Sequence, residues 1–436
     1  MALTAGNLIM MLFYKAVLFK EQIKQTIKAK LYKEKLCKES AMKKTFLVKS
    51  DNRGFGFFID NLFVVKFLLT KTLKFSCMLM AALTLSFISQ AEPYLAIKNN
   101  LKCMACHVNP NGGGLRNDFG KIYGQSMLPA RASRFDSAKI AKLTQFLSIG
   151  ADARFNANYQ KSDSKQNQTN KSFEVASTQF YLNFDIADSG LSFYLDQQVA
   201  PGSAINREAY VKYQFSQGHF IKAGKLFLPY GLRIEDDSAF IRQATGMNFD
   251  NSDNGVEYGL DYQQGTINFY LANGTSQASN NDDSFLYGVR IEHLFSAFRL
   301  GASAILNDGE QEVQMVNFYG GAQWADFTFL AEVDYLRQEG LTSASSQNLS
   351  QNIEQQVVFA EINYQWRKGW NFKLTAEYFD PNQNIDEDHQ TRHSFVTEYT
   401  PISNVQLRLG FRHNEDIPQK PQQNYDVVFL QSHFYF

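Results

Sequence analysis

Cysteine is scarce in this chain of 436 residues: four in all, Cys37, Cys77, Cys103 and Cys106. A single C-x-x-C pair exists, so a four-cysteine zinc site has no second half. Proline is also scarce, at nine residues, against 38 Phe and 21 Tyr. After the first hundred positions no apolar run reaches the roughly 18 residues that a membrane-spanning helix needs. Net charge is absent too, but the zero total hides an asymmetry. Residues 1–139 carry 22 basic and 8 acidic side chains, and residues 140–436 carry 21 and 35. The long C-terminal part is therefore acidic, which disfavours nucleic acid as a partner, since a phosphate backbone needs a basic face. It would tilt any pore toward cations. No nucleophile elbow, phosphate loop or hydrolytic constellation is present, so an enzyme is not expected. Only His389 and His393 have metal-ligand spacing, and an i, i+4 pair converges on a helix rather than on a strand.

What is present centres on Cys103-Met104-Ala105-Cys106-His107. Two thiols three positions apart share one side of a helical turn, where both can add to the vinyl groups of a haem. The adjacent histidine then reaches the iron, so C-x-x-C-H reads as c-type haem attachment. Cys103 and Cys106 are the covalent anchors and His107 the axial ligand of one haem c. The Pro110 carbonyl is close enough in sequence to fix the His107 ring through Nδ1–H. Gly112, Gly113 and Gly114 permit positive φ, so backbone can lie flat against a porphyrin edge or fold over it. Met127 is the candidate second axial ligand, since a thioether would raise the reduction potential. A distal histidine or an open position also fits the sequence.

The flanks set the compartment. Residues 1–65 mix lysine-rich and short apolar stretches and read as a leader of doubtful origin. Residues 66–91 form a signal peptide: Lys66, Lys71 and Lys74, an apolar Phe75–Ile88 core, and Ser89-Gln90-Ala91 before the cut. The haem head spans 92–135, with a short helical linker at 136–142. A head of this size builds little core alone.

From residue 143 to 436 the period becomes two. Phe180, Leu182, Phe184 and Ile186 alternate with Tyr181, Asn183 and Asp185. Trp370, Phe372 and Leu374 alternate with Asn371, Lys373 and Thr375. Leu407, Leu409 and Phe411 flank Gln406, Arg408 and Arg412. Apolar-out and charge-in, in segments of about ten residues, is the pattern of an outer-membrane barrel. Tight turns near 188–190, 216–218, 263–265, 295–297, 325–326, 367–369 and 401–404 alternate with longer polar loops. The fold class is thus all-β: an antiparallel transmembrane β-barrel of about 16 strands behind a small helical head. Short turns face the periplasm in such barrels, so the head is expected to hang there.

The head resembles an N-terminal motif of porin-like outer-membrane proteins of Gram-negative bacteria. The matching residues are Pro93-Tyr94-Leu95-Ala96, Leu101-Lys102-Cys103, Cys106-His107, Asn109-Pro110, Gly112-Gly113-Gly114 and Arg116-Asn117, with Asn100 where the pattern has glycine. Separately, Gly224-Lys225 through Pro229-Tyr230-Gly231-Leu232 resembles a run in phosphate-selective-type porins, whose following loop folds into the lumen. Arg233, Glu235, Asp236, Asp237 and Arg242 are then constriction candidates. These resemblances support the architecture and haem attachment more than any defined reaction. With the anchor spacing and the export signal, the expected function is an outer-membrane c-type cytochrome that transfers electrons at the periplasmic face. Its expected partners are membrane lipid and a redox protein, periplasmic or inserted in the lumen, such as a multihaem cytochrome. A diffusion porin with the haem as appendage is the alternative. A haem peroxidase or small-molecule sensor would follow from an open sixth position.

Overall fold

The structure, a computed structural model, describes residues 92–133, 141–163, 169–215, 218–248, 251–277, 279–280, 282–309, 312–339 and 352–436. The leader, the signal peptide, Cys37, Cys77 and residues 136–140 of the linker lie outside the described residues.

Sixteen antiparallel strands close into a barrel in chain order. At the seam, β1 (Leu147–Ser162) pairs with β16 (Tyr425–Tyr435), from Asp152 opposite Tyr435 to Ser162 opposite Tyr425. Closure leaves no strand edge with unpaired backbone groups, which hydrocarbon would penalise heavily. The short connections fall where the turn residues place them, with Asp188, Ala325 and Asn404 at φ of 56°, 51° and 72°.

Burial along the strands is inverted relative to a soluble protein. Phe180 and Leu182 face outward while Tyr181 and Asn183 between them are each 3% exposed. Leu374 is 54% exposed and its neighbour Lys373 5%. Apolar side chains thus face the lipid side, and the polar ones must find partners inside the lumen. Aromatic rings cluster near the short turns, as in Trp370 on Tyr399 at 4.2 Å and Phe327 on Tyr364 at 4.7 Å.

The head departs from expectation. It does not hang below the barrel; it sits inside the lumen at the short-turn end. Its elements are α1 (Pro93–Lys98), a 3₁₀ turn at Cys103–Ala105 and α2 (Asp118–Ser126). The physical reason is core size. A segment this small cannot bury its own apolar groups, and the barrel wall supplies what it lacks. Tyr94, Ile97 and Leu115 join one buried cluster with the wall residues Tyr181, Tyr194, Tyr210 and Leu330. Gly321 on the wall makes room for α1, since a Cβ there would lie 2.4 Å from Ile97 Cδ1.

The longest connection, between Leu226 and Asp253, also turns inward and carries α3 (Phe240–Gln243). Its backbone is pinned across the lumen: Gly231 N–H donates to Ser303 Oγ at 3.1 Å and Leu232 N–H to Glu332 Oε2 at 2.6 Å. The loop and the head meet inside the barrel.

Candidate cofactor site

The head is moored by side-chain amides to lumen carboxylates. Asn109 is fully buried and donates to both oxygens of Glu208, at 3.0 and 2.9 Å. Asn111 donates to both oxygens of Glu257, at 2.9 and 3.0 Å. Lys222, paired with Glu257 at 2.6 Å, donates to Asn109 Oδ1 at 3.3 Å. On the head's other side, Lys373 gathers three carboxylates: Glu92 at 2.8 Å, Glu398 at 3.5 Å and Glu361 at 3.8 Å. Tyr94 Oη donates to Glu398, and Lys102 pairs with Asp261 at 2.6 Å. Part of the acidic excess expected to colour a pore therefore docks the head. Sequence reasoning missed Glu208, Glu257 and Lys373 as anchors. Their inward phase on the strands was readable, but the identity of their partners was not.

The Cys-x-x-Cys-His stretch forms a compact loop within this plug. Cys106 N–H and His107 N–H both donate to the Cys103 carbonyl, at 3.2 and 3.1 Å. Asn117 ties the loop to α2. Its Oδ1 accepts from Gly120 N–H at 2.9 Å, capping the helix. Its amide donates to the Met104 and Ala105 carbonyls at 3.0 Å each. The glycine run is shaped by contact rather than by slack. Gly112 and Gly114 stand at φ of 84° and 60°. A Cβ on Gly112 would lie 3.0 Å from Cys103 Cβ, and one on Gly114 only 1.9 Å from Tyr194 Oη.

Cys103, Cys106 and His107 line one cavity of about 1020 Å³, open mouth included. Its floor is head, with Leu95, Ile97 and Leu101, and its roof is the inserted loop, with Phe227, Leu228 and Leu232. Arg290 and Arg299 from the wall and Arg233 from the loop add positive charge. Arg290 and Arg299 share Glu292, at 2.9 and 3.3 Å.

Several observations test whether a haem fits. The two thiols are free of each other rather than joined. His107 is 3% exposed, and neither ring nitrogen makes a hydrogen bond of normal geometry. Burial, reinforced by Arg116 and Arg233, lowers its pKa to about 3, against which the nearby backbone of Gly113 and Gly114 works only in part. The ring is therefore neutral, the form that ligates a metal. Burial raises both thiols above their ordinary pKa. The residues fit the group: two thiols, a bare neutral imidazole, apolar walls, and guanidinium groups suited to carboxylates. One detail differs from expectation, since the Pro110 carbonyl makes no bond to His107 Nδ1.

Met127 is placed elsewhere. It is the C-terminal cap of α2, 57% exposed, and does not line the cavity. The constriction candidates all gather on the inserted loop. Glu235 joins Arg154 and Arg408, Asp236 joins Arg412, and Arg242 lies 3.9 Å from Asp237. Arg233 instead turns toward the cavity, 3.5 Å from Glu208. His389 stacks on Tyr378, and among the described residues no cluster of three metal-ligating side chains forms.

The architecture defined here is the closed 16-strand barrel of outer-membrane porins. Three solved structures share it. A loop-deletion mutant of OmpT, an outer membrane protein of Vibrio cholerae, aligns with TM-score 0.51 at 12% identity, over 66% of this chain and 99% of that one. An anion-selective porin from Comamonas acidovorans gives 0.51 at 10%, over 66% and 99%. OprB of Pseudomonas putida gives 0.50 at 8%, over 67% and 94%. At such identities the likeness establishes the fold alone. No family model matches the chain, and no curated protein does.

Proposed function

We propose that this protein is an outer-membrane, porin-like c-type cytochrome whose haem is carried inside the barrel lumen at the periplasmic end. The observation that carries the reading is the convergence of Cys103, Cys106 and His107 on one largely apolar cavity between head and inserted loop. A haem bound there supplies a reversible one-electron change at iron. The chain's own residues do the rest. Cys103 and Cys106 tether, His107 ligates, and Arg233, Arg290 and Arg299 offset the charge of carboxylate side groups. Leu95, Leu101, Phe227, Leu228 and Leu232 exclude water, which raises the energy of the charged oxidised state. Electrons would pass to a periplasmic redox partner. A partner threaded through the lumen from that side would have to displace the head, so docking against its exposed face is the simpler arrangement.

The decisive measurement is a haem-stained denaturing gel of the outer-membrane fraction, expressed in a host with c-type maturation. Covalent stain at the mature size is expected, with complete loss in Cys103→Ala/Cys106→Ala. Stain that survives in the double variant, or a protein that fractionates as soluble, would sink the reading. A diffusion porin remains the second reading. It is favoured by a charged vestibule of about 1230 Å³ on the long-loop side, lined by Arg154, Arg207, Glu235, Asp236 and Arg412. Solute flux into liposomes through the head-docked protein would support it.

A further inference from the structure

A haem held by His107 has a second axial position, and the chain's own residues decide whether anything fills it. Strong-field ligation in c-type sites comes from methionine or histidine. Among the described residues lining the cavity, His107 is the only imidazole and no thioether is present. Met127 is held at the helix cap by its backbone N–H, which donates to the Tyr123 carbonyl at 2.9 Å, and its side chain faces outward.

The other donors that reach the cavity are engaged, with one exception. Glu92 pairs with Lys373 at 2.8 Å. Tyr230 Oη, on the roof, makes no hydrogen bond of normal geometry, and burial with Asp334 and Glu332 nearby raises its pKa, so the phenol keeps its proton. Lys102 Nζ donates to Asp261 at 2.6 Å and to the Tyr262 carbonyl at 2.8 Å. Tyr123 Oη accepts from Asn99 Nδ2 at 2.9 Å. Asn111 spends its amide on Glu257 and accepts from Asn268 at 3.3 Å. Glu292 is divided between Arg290 and Arg299. Arginine itself stays protonated and does not ligate. What remains facing the space is the protonated Tyr230 phenol and apolar side chains: Leu95, Leu101, Phe227, Leu228 and Leu232. An apolar pocket favours a small neutral ligand, which loses little hydration on entering, over a charged one.

Resting on the haem-attachment reading, we infer that none of the described residues supplies a sixth ligand, so the head binds a diatomic π-acceptor molecule of the carbon monoxide and nitric oxide class at the iron. The inserted loop is then the roof of a ligand pocket as well as an element of the lumen. Its segment from Phe227 to Leu232 faces the cavity, while the next residues, Glu235 and Asp236, face the outer vestibule.

The test uses the full-length holoprotein in detergent, with carbon monoxide as the probe. Electron paramagnetic resonance of the ferric form and a ferrous-minus-ferrous carbonyl difference spectrum are read together. A high-spin ferric signal and one carbon monoxide per covalent haem are expected, with Met127→Leu changing carbon monoxide affinity by less than about twofold. A thioether occupying the position in about 99% of molecules would weaken that affinity about 100-fold, and Met127→Leu would recover it. That recovery overturns the inference, as does a low-spin spectrum indifferent to carbon monoxide; both leave covalent attachment standing. Tyr230→Phe, Tyr123→Phe and Lys102→Leu extend the same reading to the remaining donors, and a change of ferric spin state or ligand-field bands in any of them also overturns it. Absence of covalent stain on the gel overturns the attachment reading and this inference with it.

Discussion

The two halves of the lumen share one wall and are filled in opposite ways. The short-turn half is closed by the head, moored through neutral amides on buried carboxylates and enclosing an apolar cavity. The long-loop half is a vestibule where Glu235 and Asp236 from the inserted loop meet Arg154, Arg408 and Arg412 from the strands. The alternation that points polar residues inward is the same in both. What differs is the partner presented to them. Against a docked polypeptide, a wall carboxylate becomes a structural anchor; against a water-filled space, it stays part of an electrostatic field.

Removing an anchor should open this contrast most widely. Lys373→Met leaves Glu92, Glu361 and Glu398 buried without their shared cation, a loss of about 3–5 kcal/mol by analogy with broken buried ion pairs. Limited proteolysis should then cut residues 92–133 while the strands stay protected. A head cut no faster than in the parent would show that this node does not hold it.

A steric version should be milder. At Gly114, with φ of 60°, a Cβ would lie 1.9 Å from Tyr194 Oη. Gly114→Ala is expected to weaken head docking by about 1–3 kcal/mol, and Tyr194→Phe, which removes the clashing oxygen, should restore part of it. Hydrogen exchange of head amides reads both; equal exchange in the single and double variants would contradict the contact.

Acid should separate the halves more gradually. Burial raises the Glu92 pKa, but Lys373, Arg408 and Arg154 outweigh it and hold the carboxyl below its ordinary value. Glu361, Glu398 and Tyr94 face the same group. A depressed folded pKa stabilises fully above the unfolded value of about 4.3 and is lost as pH falls through the folded one. Each tenfold difference in proton affinity between the two states is worth about 1.4 kcal/mol. The part of head protection that Glu92 supplies should therefore be constant above about pH 5 and decline only below about pH 4. Glu92→Gln should remove that acid decline, and a decline below about pH 4 unchanged in the variant would assign it to another group.

The smallest effect belongs to the vestibule. Asp236 and Arg412 are partly open to solvent, so Arg412→Ala should cost no more than about 1 kcal/mol of stability. Its readout is ion selectivity in planar bilayers, with head protection unchanged. A destabilised head would mean that the two halves are coupled.

Much of this was readable along the chain. Period-two segments such as Phe180–Ile186 and Gln406–Arg412 state which side chains face lipid, because a one-residue slip would move every charge to the wrong side. The turns followed from the same segmentation. The Cys-x-x-Cys-His grouping was readable because the thiols and imidazole lie within five residues, where backbone geometry alone brings them together. Met127 was not readable in this way. A separation of 20 residues carries no direction, and the helix cap turned it outward. Asn109 and Asn111 were visible as parts of a motif, but as turn residues rather than as ligands of Glu208 and Glu257.

The sequence by itself determined a sealed sheet, its number of strands, and a thiol pair beside a histidine, since all of these rest on local spacing and on the face each residue must show to its solvent. Only the tertiary structure decided that the head occupies the lumen and that the loop roofs it. The head has too little apolar surface to be stable alone, and the buried carboxylates of the wall need partners. Both needs are met by contacts between residues a hundred or more positions apart, such as Asn109 with Lys222 and Glu92 with Lys373. No spacing along the chain records such contacts.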